Sequence, residues 1–115
     1  MGNPRRANGT RRDAVRKWLR SQGRPCWICR AFGRPGHIDY SLPAGHPLSF
    51  EVDELVPVSK GGSPFDRANV DAAHRRCNQW RGNRSVDEVL RIARGGGRGA
   101  PVAESVGGVT SALAE

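Results

Sequence analysis

The stretch His74-Arg75-Arg76-Cys77-Asn78-Gln79-Trp80-Arg81-Gly82-Asn83 begins with a His-x-x-Cys pair, and Cys26-Trp27-Ile28-Cys29 upstream is a Cys-x-x-Cys pair. Each pair has the two-residue gap of a chelating knuckle. Cys26, Cys29, His74 and Cys77 together use all three cysteines and supply four ligands for one tetrahedral ion. A closed site of three sulfurs and one nitrogen suits Zn²⁺ and leaves no open coordination position, so a structural zinc is expected. Such an ion would tie residue 29 to residue 74 and stabilise chiefly by restricting the unfolded chain. Whatever lies between the knuckles is then held against the segment that follows Cys77.

The rest of the composition fits a small domain that needs such a staple. The chain has 115 residues, 37% hydrophobic and 6% aromatic, which allows one domain with a thin core. No apolar run approaches the roughly 20 residues of a membrane span, so no membrane partner is expected. An odd cysteine count without a secretory signal argues against a disulfide framework and for the reducing cytoplasm. Lys+Arg number 19 against 11 Asp+Glu, a net charge of +8, and all but Lys17 and Lys60 are arginine. Arginine grips phosphate oxygens two at a time, and the basic residues crowd the first stretch from Arg5 to Arg24 against the single acid Asp13. That lopsided field points to a polyanion.

Along the chain, residues 1–9 lack periodicity and are expected to form a disordered basic arm. Thr10 with Asp13 resembles a capping box, and Val15, Trp18 and Leu19 share the apolar face of a helix that Gly23 and Pro25 end. Gly33 to Pro47, including His37 and His46, reads as irregular chain. The run Phe50 to Val58 reads as a strand, with Pro57 at an edge or near its end. Asn69-Val70 resumes an extended segment, and His74 to Arg81 runs from the knuckle into a short helix that Gly82 stops. Ser85 with Glu88 forms a second capping box ahead of a helical face at Val86, Val89, Leu90 and Ala93. The Gly-rich tail, 95–115, is expected to be disordered, which leaves 10–94 as the folded domain.

The clamp would gather Asp53, Glu54, Asn69 and Asn78. These are hard oxygen donors, better suited to Mg²⁺ or a similar ion than to zinc, so a second and chemically different metal site is expected.

The combination Val52-Asp53-Glu54-Leu55-Val56-Pro57-Val58-Ser59-Lys60-Gly61-Gly62, then Asn69, then His74 to Asn83, preceded by the Cys26/Cys29 knuckle, resembles the HNH endonucleases. The likeness is to the small zinc-stapled type of tailed phages and actinobacteria, and it covers residues 25–83. It implies an α+β fold of the ββα-metal (HNH, or His-Me finger) class, a hairpin and a helix around one divalent ion at the scissile phosphate. Here that unit would be flanked by the basic N-terminal helix and a C-terminal helix. The resemblance places Asp53 and Asn78 as ligands of a catalytic Mg²⁺ or Mn²⁺, and Asn69 as the residue that orients the base and steadies the loop. Glu54 stands where the family usually carries its water-activating histidine, so the name-giving pattern reads Glu, Asn, Asn.

A histidine of pKa about 6.5 suits base catalysis near neutrality better than an unperturbed glutamate near 4.3. Glu54 is taken as the base, the alternatives being Glu54 as a further metal ligand or His46 as the base. Lys60, Arg75, Arg76, Arg81 and Arg84 are expected to contact DNA phosphates, with the first helix as a second cationic surface. The expected activity is hydrolysis of phosphodiester bonds in double-stranded DNA with little sequence preference. A phage setting beside the terminase, in the host cytoplasm, is what the resemblance suggests. The rival is a catalytically weak or inactive DNA-binding or terminase-docking module of the same fold. A zinc-binding RNA or ribosome-associated protein fits the charge but not Asp53, Asn69 and Asn78.

Overall fold

The computed structural model describes residues 4–95. Its elements are helix α1 (Pro4–Ser21), helix α2 (Trp27–Ala31), strand β1 (Phe50–Glu54), strand β2 (Val70–His74), helix α3 (Arg75–Arg81) and helix α4 (Val86–Arg94). The strands form one antiparallel pair in which Phe50 faces His74, Val52 faces Ala72 and Glu54 faces Val70. The fold is therefore a small α+β unit with a two-stranded sheet and α3 following directly on β2.

Helices cover both faces of the sheet. Side chains alternate along β1, so Glu51 and Asp53 turn to one face, where they meet Arg75, Asn78 and Arg81 of α3. Phe50 and Glu54 turn to the other, where they meet Arg16 and Arg12 of α1. The core between these layers is small. Leu19, Ile28, Val70 and Val89 are its largest fully buried apolar side chains apart from Cys26, Cys29 and Cys77. Helix α4 adds Val89 and packs on α2. Its start is fixed by a complete capping box, with Glu88 N donating to Ser85 Oγ at 3.1 Å and Ser85 N donating to Glu88 Oε1 at 3.1 Å.

Three elements differ from the sequence expectations. Helix α1 starts at Pro4 rather than Thr10, so Thr10 lies inside the helix and no box with Asp13 opens it. Proline at the first helical position presets φ and loses no needed donor, while Gly9 within the helix costs only about 1 kcal/mol. Of the expected disordered arm, 4–9 is helix and 1–3 lies outside the described residues, as does 96–115 of the expected disordered tail.

Helix α2, read as bare knuckle and loop, is one short turn of helix that Cys26 caps, its sulfur accepting from Cys29 N at 3.5 Å. Strand β1 ends at Glu54, four residues short of Val58. Pro57 cannot donate to a ladder, and the chain curls into a 3₁₀ turn at Val58–Lys60.

Replacing Leu19 by Ala opens a cavity beneath α1. A loss of about 2–5 kcal/mol is expected in urea unfolding of the zinc-loaded protein, with the denaturant slope unchanged.

Candidate metal centre and the adjoining cleft

Cys26 and Cys29 flank the start of α2, His74 ends β2, and Cys77 lies in the first turns of α3. Their ligand atoms lie within 4.8 Å of one another, and all four residues are buried. Cys29 Sγ is 3.5 Å from His74 Nδ1 and 3.7 Å from Cys77 Sγ, and Cys77 Sγ is 3.7 Å from His74 Nδ1. A tetrahedral zinc with Zn–S near 2.3 Å and Zn–N near 2.05 Å requires about 3.8 Å between sulfurs and about 3.6 Å from sulfur to nitrogen. The expected ligand set is thus assembled at separations that fit a structural zinc.

The ring nitrogens of His74 are assigned by their partners. Nε2 lies 2.9 Å from the His37 carbonyl oxygen, which can only accept, so Nε2 carries the proton and Nδ1 turns its lone pair to the sulfurs. The three cysteines form no disulfide. Without a cation they cannot all ionise. Hydrogen bonds from Cys29 and Cys77 hold Cys26 far below the ordinary thiol range, and the bond to Cys26 pushes Cys29 and Cys77 above it, with burial adding to both. A bound dication relieves that conflict by taking all three as thiolates. Gly36 backs the knuckle: its carbonyl accepts from Cys26 N at 2.7 Å, its φ is +73°, and a Cβ there would stand 2.9 Å from Cys26 O.

The residue after Cys26 links this centre to a cleft. Trp27 Nε1 donates to Asp53 Oδ2 at 2.7 Å, and Asp53 lines a cleft of about 510 Å³ together with Glu54, Lys60, Asn78, Arg81 and Arg84. Asp53 is buried, and Arg81 Nη1 reaches the same Oδ2 at 2.7 Å. Burial pushes the Asp53 carboxyl above the ordinary carboxylate range, while the bonds from Arg81 and Trp27 pull against it. Both bonds fall on Oδ2, which leaves Oδ1 outside them. Asn78 lines the same cleft and donates Nδ2 to Glu51 Oε1 at 3.0 Å.

Glu54 is partly exposed and lies at the junction of this cleft with a smaller one of about 300 Å³ between α1 and β1. Its Oε2 is 4.0 Å from Arg12 Nη1. Asn69 bonds the loop that follows β1. Its Oδ1 accepts from Val56 N at 3.0 Å, and its Nδ2 donates to Val56 O at 2.9 Å and Ser63 O at 3.0 Å. The amide so replaces the strand partner that Val56 lacks. Gly62 passes so close that a Cβ would fall 1.7 Å from Val56 O, which excludes any side chain there.

Two expectations are corrected. Arg81 is not a surface contact for DNA: it is 3% exposed, and besides Asp53 it donates to Glu54 O at 3.1 Å, Leu55 O at 2.6 Å and Arg84 O at 2.9 Å. Its fork clamps the end of β1 to the turn after α3, because three carbonyls and a carboxylate there need donors. His46 is not beside Asp53 and Glu54. Its Nδ1 accepts from Leu48 N at 3.0 Å ahead of β1, and Asp53 and Glu54 close the other end of that strand.

The remaining basic residues divide. Lys60 is exposed and lines the cleft; Arg84 lines it with its guanidinium 4.5 Å over Trp80. Arg75 donates to Glu51 Oε2 at 2.9 Å, and Arg76, second in α3, has its backbone N on Pro47 O at 2.8 Å. Trp27 and Glu51 went unmarked in the sequence reading. Trp27 was detectable by its place beside a ligand, and Glu51 by its alternation with Asp53.

No family, curated protein or solved structure matches the chain on comparison. Among the described residues no helix is long and apolar enough to cross a membrane.

Chelation of a structural zinc by a strong competitor is expected to abolish the cooperative thermal transition, and readded Zn²⁺ to restore it; Cys77→Ser should mimic the chelator. Arg81→Ala should cost about 3–5 kcal/mol in urea unfolding, because it strands a buried carboxylate; a loss under 1 kcal/mol would contradict the clamp.

Proposed function

We propose that the chain is a metal-dependent DNA endonuclease of the HNH type, stapled by zinc and hydrolysing phosphodiester bonds of double-stranded DNA with little sequence preference. The observation that carries this reading is one cleft, beside the zinc ligands, lined by Asp53 of β1 and Asn78 of α3, with Glu54 at its edge where it meets the smaller cleft toward α1. A carboxylate and an amide fit Mg²⁺ or Mn²⁺ by the chemistry of their oxygens. Asp53 would offer Oδ1 and Asn78 its amide oxygen, each outside the hydrogen bonds described above.

The bound ion would supply charge stabilisation at the phosphorus and at the leaving oxygen. The chain's own residues do the rest. Glu54 takes a proton from the water that attacks phosphorus in line, the bond from phosphorus to the 3′ oxygen breaks, and that oxygen acquires a proton from solvent. Lys60 and Arg84 hold flanking phosphates, and Asn69 keeps the Lys60 loop in place. A phage-encoded protein acting with the packaging terminase in the host cytoplasm is the setting this reading favours.

A second reading has its own observation. Asp53 is already neutralised by Arg81 at 2.7 Å, and Glu54 stands in place of a histidine. On that reading the protein is a zinc-stapled DNA-binding or terminase-docking module with weak catalysis or none.

Supercoiled plasmid separates the two. With Mg²⁺ or Mn²⁺ the wild type is expected to relax or linearise it, Asp53→Ala to leave it intact, and Glu54→Ala to slow it about 10²–10⁴-fold. Duplex binding without cleavage under any divalent ion would favour the module, and cleavage by Glu54→Ala at the wild-type rate across pH would remove Glu54 as base.

A further inference from the structure

We infer that Glu51, which no step above uses, is a positioning residue: it turns the Asn78 amide so that its oxygen is available to a divalent ion in the cleft. The inference rests on the endonuclease reading and deepens it.

Glu51 and Asp53 share the α3-facing side of β1, and residues 75, 78 and 81 of α3 recur at helical spacing opposite them. Glu51 sits between two of these. Its Oε2 accepts from Arg75 Nη1 at 2.9 Å, and its Oε1 accepts from Asn78 Nδ2 at 3.0 Å. A carboxylate has only acceptors, so the Asn78 atom facing it must be the NH₂ group, and the carbonyl oxygen is turned away from Glu51. An asparagine ligates a hard cation through that oxygen. Left alone, a side-chain amide can flip and offer its NH₂ group instead.

Arg75 holds the opposite oxygen of Glu51, so both carboxylate oxygens are engaged and Glu51 acts through Asn78 rather than as a ligand. Asp53 is treated alike, with Trp27 and Arg81 occupying one oxygen and leaving the other. Both candidate ligands are thus oriented from behind, and partners of this kind are worth about 10–100-fold in metal affinity.

Mn²⁺ titration of the zinc-loaded full chain, read by the electron paramagnetic resonance of free Mn²⁺, tests this without an activity assay. Glu51→Ala should weaken Mn²⁺ about 10–100-fold with zinc content and helical circular dichroism unchanged. Glu51→Gln keeps an acceptor for the Asn78 amide and should stay within a few-fold of wild type. In an Asn78→Ala background, adding Glu51→Ala should change affinity less than about twofold.

An equal loss in both backgrounds, or a loss in Glu51→Gln as large as in Glu51→Ala, would mean that Glu51 acts by its charge and would overturn the inference. Mn²⁺ binding that Asp53→Ala abolishes and Glu51→Ala leaves untouched would overturn it alone. No Mn²⁺ binding by wild type, or binding that survives Asp53→Ala, would overturn the endonuclease reading and this inference together.

Discussion

Three sulfurs and one nitrogen, drawn from two segments far apart in the chain, must meet in one buried spot for this fold to exist. Cys26 and Cys29 belong to the start of α2, while His74 and Cys77 span the junction of β2 and α3. Everything between is a loop whose ends that cluster closes, so the binding energy of an ion there is folding energy. The apolar core is too small to make the point moot, since among its largest fully buried side chains are the three cysteines themselves. The constraint also reaches beyond the ligands. Trp27, next to Cys26, bonds Asp53, so the residue proposed to act on DNA is held partly by its neighbour in the knuckle.

The arginines do more than attract an anion. Arg81 is buried to satisfy three carbonyls and a carboxylate, which makes it part of the frame. On α1 several arginines lie over aromatic rings: Arg11 over Phe65 at 3.8 Å and Arg16 over Phe50 at 5.0 Å. Such stacking covers ring surface that a thin core cannot bury, while the outer edge of the guanidinium stays free to meet phosphate. The net charge of +8 therefore includes arginines that serve the fold, Arg81 above all, and on the proposed reading Lys60 and Arg84 at the cleft are the ones that meet DNA.

What could be read from the sequence follows from how local the cause is. Chelating pairs with two-residue gaps are set by the geometry of one turn, so the Cys26/Cys29 and His74/Cys77 grouping was legible. So was the Ser85–Glu88 cap, whose two bonds lie within four residues. The end of β1 was not, because it depends on Asn69, remote in sequence, taking over Val56. Arg81 looked like the half-buried arginines around it, since nothing local marks an arginine whose partners arrive from β1. Glu51 was passed over for the same reason: its meaning comes from Asn78 and Arg75 across the sheet face. The start of α1 at Pro4 was legible in kind but outweighed by the apparent cap at Thr10.

Zinc K-edge X-ray absorption on the purified protein tests the organising constraint most directly. The account predicts one bound zinc with three sulfur neighbours at about 2.3 Å and one nitrogen at about 2.0–2.1 Å. A protein that folds cooperatively without zinc, or a zinc shell of oxygen and nitrogen with no sulfur, would contradict it.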